Sequence, residues 1–198
     1  MSHYFSKSQA SLKSKPQELT YTFKGYTFTF LSDYGVFAKD KVDYATDLLL
    51  NNIAIHEDDN VLDLGCGYGV IGIVLKRVFD AHVVMSDVNL RALDLAKKNA
   101  EINYTNTDII NSDGFKAIDQ TFDHIISNPP IRIGKKPLYL LFRVARSHLK
   151  IGGSLWLVIN KKHGAKSAIT YLKTLYHVEV KAKQKGFHVI RCLNTLTN

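Results

Sequence analysis

The chain has 198 residues, 45% hydrophobic and 22% charged, a composition that suits one globular domain with a real core. No run of about 18 apolar residues is present, which argues against a transmembrane helix. The stretch from Met1 to Lys15 is rich in Ser and Lys and lacks the apolar core of a secretory signal. A formal net charge of +8 favours an anionic partner, of which nucleic acid is the commonest.

The two cysteines, Cys66 and Cys192, form neither a CxxC nor a metal-ligand spacing, so a reduced, cytoplasmic protein without a metal is expected. Residues 1–18 read as a flexible basic N-terminal arm with Lys7, Lys13 and Lys15, and 19–198 as a single domain. In 19–31, Thr and aromatic residues alternate on both sides of Lys24-Gly25, a β-hairpin pattern. Ser32-Asp33-Tyr34-Gly35 is a loop, and Lys41 to Asn51 reads as helical.

From Asn60 onward strands and helices alternate. Strands are expected at 61–64, 82–86, 107–110, 122–127 and 154–159, and helices at 70–79, 89–103, 138–149 and 166–176. Residues 177–182 and 187–193 flank Gln184-Lys185-Gly186 and read as a closing hairpin. The alternation predicts a doubly wound, mostly parallel α/β sheet covered on both faces, with antiparallel strands at one edge. Ligands bind such sheets outside the carboxyl ends of the strands, where the motifs fall.

The first motif is Asp63-Leu64-Gly65-Cys66-Gly67-Tyr68-Gly69. Gly65, Gly67 and Gly69 leave a turn without Cβ atoms, so that a ligand can lie against the backbone. Asp87, about 20 residues beyond the turn, can accept both hydroxyls of a ribose. Gly67 to Gly72 also matches GxGxxG, the dinucleotide fingerprint. Asp63 argues against that ligand, because a carboxylate at the strand end repels a pyrophosphate and favours a cation.

The segment resembles the first motif of class I methyltransferases, whose cofactor is S-adenosylmethionine. The resemblance implies that the glycine turn, Cys66 included, holds the methionine and adenosyl parts. It further implies that Asp87 with Val88 holds the ribose, that Asp113 with Gly114 binds the adenine amino group, and that Phe115 covers the ring.

The second motif is Asn128-Pro129-Pro130-Ile131, after the strand at 122–127. An exocyclic amine on a base is a poor nucleophile, because its lone pair is delocalised into the ring. The amide oxygen of Asn128 and the carbonyl of Pro129 can each accept one amine hydrogen. The nitrogen then becomes tetrahedral, with its lone pair aimed at the methyl donor. Prolines fix this backbone and remove competing N–H donors. Positioning and electrostatics supply the rate, so no strong base is required.

With Ser32 to Phe37 upstream and Ser127 to Arg132 followed by Gly134-Lys135, the chain resembles the catalytic domain of the RsmC-like small-subunit (16S) ribosomal RNA guanine-N2 methyltransferases, from about Tyr21 to Leu193. That likeness implies a Rossmann-like, seven-stranded sheet with an N-terminal hairpin extension, Val36 and Phe37 closing the cofactor pocket, and Asn128 reaching both cofactor and acceptor. Longer members carry a second, N-terminal domain, which is not expected in these 198 residues. Many amine methyltransferases place a stacking aromatic after the second proline. Here Ile131 stands in that position, and Phe37 or Tyr34 is the substitute. Ala45 stands where relatives often have Gly.

Arg132, Lys135 and Lys136 lie just past the catalytic turn, and Lys161, Lys162 and Lys166 follow the strand at 154–159. Both groups are expected on the active rim, holding RNA phosphates beside an extruded base. Lys181, Lys183 and Lys185 crown the terminal hairpin and read as solvated surface. The expected partner is ribosomal RNA or the small ribosomal subunit. Adenine N6 and a protein glutamine amide also suit the Asn-Pro-Pro turn. An RNA-binding ribosome assembly factor is the reading from outside enzymology.

Overall fold

The computed structural model describes residues 15–36, 38, 40–130 and 133–195. Strands β1 (Gln17–Phe23) and β2 (Tyr26–Ser32) pair antiparallel as a separate two-stranded sheet. Their turn has positive φ at both Lys24 (47°) and Gly25 (83°), the type I′ geometry that matches the twist of the flanking strands. Because β1 starts at Gln17, the last two residues of the expected arm already belong to the hairpin. Residues 1–14 lie outside the described part.

The main sheet has seven strands in the order β5-β4-β3-β6-β7-β9-β8. In chain order these are β3 (Asn60–Leu64), β4 (His82–Asp87), β5 (Asp108–Asn111), β6 (Phe122–Ser127), β7 (Leu149–Asn160), β8 (His177–Gln184) and β9 (Phe187–Leu193). The first five are parallel, β9 runs antiparallel to β7, and β8 runs antiparallel to β9 and so in the direction of the first five. The direction of winding reverses between β3 and β6, the place where such sheets bind ligands.

One face is covered by α1 (Tyr44–Leu50), α2 (Val70–Phe79) and α3 (Leu90–Ile102). Their core includes Leu49, Ile73 and Ala96, together with Phe28 and Phe30 of the hairpin. The other face packs α4 (Lys135–Ser147) and α5 (Ala165–Leu172) through Phe142, Ala145 and Leu172. The hairpin is bound to α3 by side-chain amides acting as backbone mimics. Asn99 accepts from Leu31 N at 2.6 Å and donates to Leu31 O at 2.9 Å, and Asn103 does the same for Thr29 at 3.1 and 2.7 Å. Polar groups that an edge strand would leave unpaired are thereby satisfied.

Several boundaries differ from expectation: α1 begins at Tyr44 rather than Lys41, and α5 ends at Leu172 rather than 176. Helix α4 begins at Lys135 rather than 138 because Pro137 sits in its first turn, where a missing N–H costs nothing. Strand β7 begins at Leu149 rather than 154, with a register shift against β6 that the Gly152-Gly153 pair permits. A Cβ on Gly153 would stand 2.8 Å from the carbonyl oxygen of Asp123, so only glycine fits there.

Candidate active site

The glycine turn between β3 and α2 folds back over β4. Gly65 N and Cys66 N both donate to the carbonyl of Ser86, at 2.8 and 2.9 Å. Gly65 and Gly67 have positive φ, 75° and 58°, and a Cβ on either would meet nothing within 4 Å. The backbone therefore fronts open space, which fits a ligand laid along it.

Beneath the turn lie two acids. Asp63 is 1% exposed, and its Oδ2 accepts Gly72 N at 2.9 Å. Burial, reinforced by the charge of Asp87, raises its carboxyl to about 7 despite that bond. Burial also raises Asp87, opposed by the N–H groups of Asn89 and Gly67 that it accepts, both at 2.9 Å. A cation beside Asp63 would relieve the electrostatic cost of its ionised form. The Cys66 thiol is pushed well up, by burial and by the charges of both acids, so it stays neutral and is no nucleophile.

Two loops border the same space. Asn89 Nδ2 donates to Gly35 O at 3.3 Å, and Arg91 pairs with Asp33 at 2.7 Å, which holds residues 33–36 beside the end of β4 with Val36 buried. After β5, Ser112 N donates to Asp87 O at 3.0 Å, and Asn111 Nδ2 bonds the carbonyls of Asp87 and Val88. Asp113 and Gly114 follow directly. The side chain of Asp113 is half exposed and pairs with Lys116 at 2.7 Å. Phe115 is buried, with its ring stacked on His148 at 4.5 Å between centroids.

Asn128 stands at the carboxyl end of β6, which Ser127 Oγ ties to β3 by donating to Leu64 O at 2.7 Å. Its Nδ2 donates to Asp43 Oδ2 at 3.1 Å and lies 3.2 Å from Thr46 Oγ1. Pro130 O accepts Ile133 N at 3.0 Å, while Pro129 O has no partner among the described residues. Phe37, Ile131 and Arg132 lie outside the described residues.

Lys135 and Lys136 open α4, Lys161 and Lys162 form a 3-10 turn after β7, and Lys166 lies in α5, all exposed. Since β6 and β7 are parallel neighbours, these groups follow the same edge of the sheet. The tip of the β8–β9 hairpin joins them: Lys161 N donates to Gly186 O at 2.7 Å, and Lys185 Nζ sits 4.6 Å from the centroid of the Tyr44 ring. Burial lowers the pKa of His188, and the charges of Lys183 and Lys161 lower it further.

The sequence matches the family model of the methyltransferase small domain over residues 27–191. The chain belongs to that family. This methyltransferase small domain protein uses S-adenosylmethionine, and the open glycine turn over two buried acids fits that cofactor. It is 45% identical over 195 residues to the uncharacterized protein YbxB of Bacillus subtilis, with 96% of each chain covered. It is 38% identical over 162 residues to Ribosomal RNA small subunit methyltransferase C of Haemophilus influenzae, covering 76% of this chain and 49% of the relative. Among solved structures it is similar to the Thermus thermophilus 16S rRNA N2 G1207 methyltransferase (RsmC) in complex with AdoMet and guanosine. The TM-score is 0.82 at 27% identity, covering 92% of this chain and 51% of that one. The chain thus spans about half the length of these two methyltransferases.

Sequence reasoning missed Asp43, Thr46, Tyr44 and the hairpin tip. Asp43 before an apolar helix has the signature of an N-cap, and it does cap α1, accepting from Ala45 N and Thr46 N. Nothing local connects it to Asn128, 85 positions away. Among the described residues, no group of three or more His, Cys, Asp or Glu side chains is placed to hold a metal. No helix there is long and apolar enough to cross a membrane.

Proposed function

We propose that this methyltransferase acts on the exocyclic N2 of guanine in small-subunit ribosomal RNA. The observation that carries the reading is the orientation of Asn128. Its Nδ2 is engaged by Asp43 and Thr46, which leaves Oδ1 as an acceptor at the switch point of the sheet, beyond the glycine turn.

S-adenosylmethionine supplies an electrophilic methyl group when bound. Asp63 offers negative charge to a cation at the end of β3, and Gly65 and Gly67 let the ligand lie on the backbone. Asp87 retains lone pairs for ribose hydroxyls. Asp113 and Gly114, with Val36 and Val88, form the adenosine side of the pocket, and Phe115 supports it from the core.

Asn128 Oδ1 and Pro129 O each accept one hydrogen of the acceptor amine. The nitrogen lone pair, withdrawn from the ring, then points at the methyl carbon. As the new N–C bond forms, the methyl–sulfur bond of the bound donor would break and its electron pair stay on sulfur, leaving a neutral thioether, while the nitrogen becomes cationic and its excess proton leaves to water. No strong base is needed, because holding the reacting atoms in line accounts for much of the rate.

Lys135, Lys136, Lys161, Lys162 and Lys166, with Arg132 in the same segment, would hold phosphates beside an extruded base. The hairpin tip adds Lys183 and Lys185. Guanine N2 is preferred over other amines because the solved Thermus thermophilus relative is named as a 16S rRNA N2 G1207 methyltransferase and holds guanosine, while the curated relatives are named as small-subunit ribosomal RNA methyltransferases. Such a substrate would place the protein in the cytoplasm.

The test is transfer of labelled methyl to unmodified small-subunit particles, naked ribosomal RNA and total protein, followed by nucleoside analysis. Label in N2-methylguanosine is the expected result. Label on adenine or on protein amides would move the acceptor. Cofactor binding without transfer to any of the three would favour the assembly-factor reading.

A further inference from the structure

We propose that Asp43 is a positioning residue for catalysis: its carboxylate fixes the Asn128 amide with Oδ1 toward the acceptor and makes that oxygen a stronger hydrogen-bond acceptor. The inference rests on Asn128 being the acceptor-site amide.

The geometry leaves one orientation for the amide. Asp43 Oδ2 lies 3.1 Å from Asn128 Nδ2, and Thr46 Oγ1 lies 3.2 Å from the same nitrogen. An ionised carboxylate can only accept. Rotating the amide by half a turn would set Oδ1 against that carboxylate, exchanging a charge-assisted bond for repulsion. The nitrogen has two hydrogens and two facing acceptors, so its donor end is filled. The amide oxygen has no partner among the described residues.

The same bond acts electronically. A carboxylate drawing on an amide N–H shifts electron density toward the amide oxygen, and hydrogen bonds in such a chain strengthen one another. Asn128 Oδ1 thus becomes a better partner for the developing positive charge on the amine. A helix cap alone does not call for a carboxylate here, since Ser and Asn cap helices as well as Asp. Asp43 Oδ2 does both tasks at once, taking Ala45 N at 3.1 Å, Thr46 N at 3.3 Å and the Asn128 amide. The fold brings them together because α1 packs against β7, the parallel neighbour of β6.

Three variants separate positioning from capping. Asp43→Ser keeps the cap but is too short to reach Asn128, Asp43→Asn keeps both cap and reach without the charge, and Thr46→Val removes the second acceptor. In the methyl-transfer assay on small-subunit particles, Asp43→Ser is expected to lower kcat by about 10- to 100-fold, the scale of a misplaced reacting group. Cofactor affinity and melting temperature should stay near wild type. Asp43→Asn should recover most of the loss, and Thr46→Val should show a smaller one. Independently of substrate, the Asn128 side-chain amide signal in a 15N-Asn-labelled protein should lose its exchange protection in Asp43→Ser and regain it in Asp43→Asn. Wild-type kcat or unchanged amide protection in Asp43→Ser would overturn the proposal. Asn128→Ala is the control: full activity there would remove the acceptor-site reading itself, whereas an inactive Asn128→Ala beside a fully active Asp43→Ser would remove only the role of Asp43.

Discussion

Asp87 Oδ2 accepts the backbone N–H of Gly67 at 2.9 Å, so the acid that ends β4 and the glycine turn that follows β3 form one unit. Its other oxygen takes Asn89 N at the start of α3. One carboxylate therefore shapes the cofactor turn and, in the proposed site, holds the ribose. Asp87→Ala should weaken binding of S-adenosylmethionine by about 10-fold or more, since hydrogen bonds to a charged group contribute about 1.5–3 kcal/mol. The melting temperature should fall with it. Calorimetry showing unchanged affinity would remove Asp87 from the ribose site.

The acid at the end of β3 gives a pH prediction. Asp63 titrates near 7, above its ordinary carboxylate value, so the folded chain holds this proton more tightly than the unfolded chain does. The resulting stabilisation is present at low pH and is lost as pH rises from the ordinary carboxylate range through about 7. Cofactor affinity runs the opposite way, because the ionised form attracts the cationic ligand. Affinity should climb between about pH 5 and 7 and level off above, with binding releasing a proton on the acid side. Titrations in two buffers of different ionisation enthalpy read that release directly. Asp63→Asn should abolish it, and a flat profile in the wild type would contradict the assignment.

Basic residues on the rim predict a salt dependence. Lys161 and Lys185 reach the same edge from different strands, joined through the Lys161–Gly186 bond. Removing one phosphate-binding charge should reduce the slope of log affinity against log salt by about 1. Lys161→Ala and Lys185→Ala should each do so for naked ribosomal RNA, and the double variant should show about twice the reduction. Slopes equal to that of the wild type in all three would place the RNA elsewhere on the surface.

Asn99 predicts a stability effect remote from the chemistry. Its fully buried amide accepts Leu31 N and donates to the carbonyls of Leu31 and Tyr68. Asn99→Leu strands those backbone groups in the interior, at about 1–3 kcal/mol for each group left unpaired. Urea unfolding should show a drop of at least that size. A variant as stable as wild type would mean that the hairpin does not depend on α3.

The sequence alone determined the order and type of elements, the glycine turn with Asp63 and Asp87 at strand ends, and Asn128 after the strand at 122–127. Such features are written locally. Alternating Thr and aromatic residues specify the hairpin, apolar runs specify buried parallel strands, and glycines without Cβ atoms mark where backbone must stay open. Local signals also misplaced ends: the helix expected from 138 begins at Lys135, with Pro137 in its first turn. Only the tertiary structure decided that Asp43, the cap of α1, meets Asn128, and that the β8–β9 tip returns to Tyr44 beside it. Those neighbours depend on strand order and on which helix covers which strand. Both are set by burying two apolar faces at once, a condition on the whole chain that no short window of residues carries.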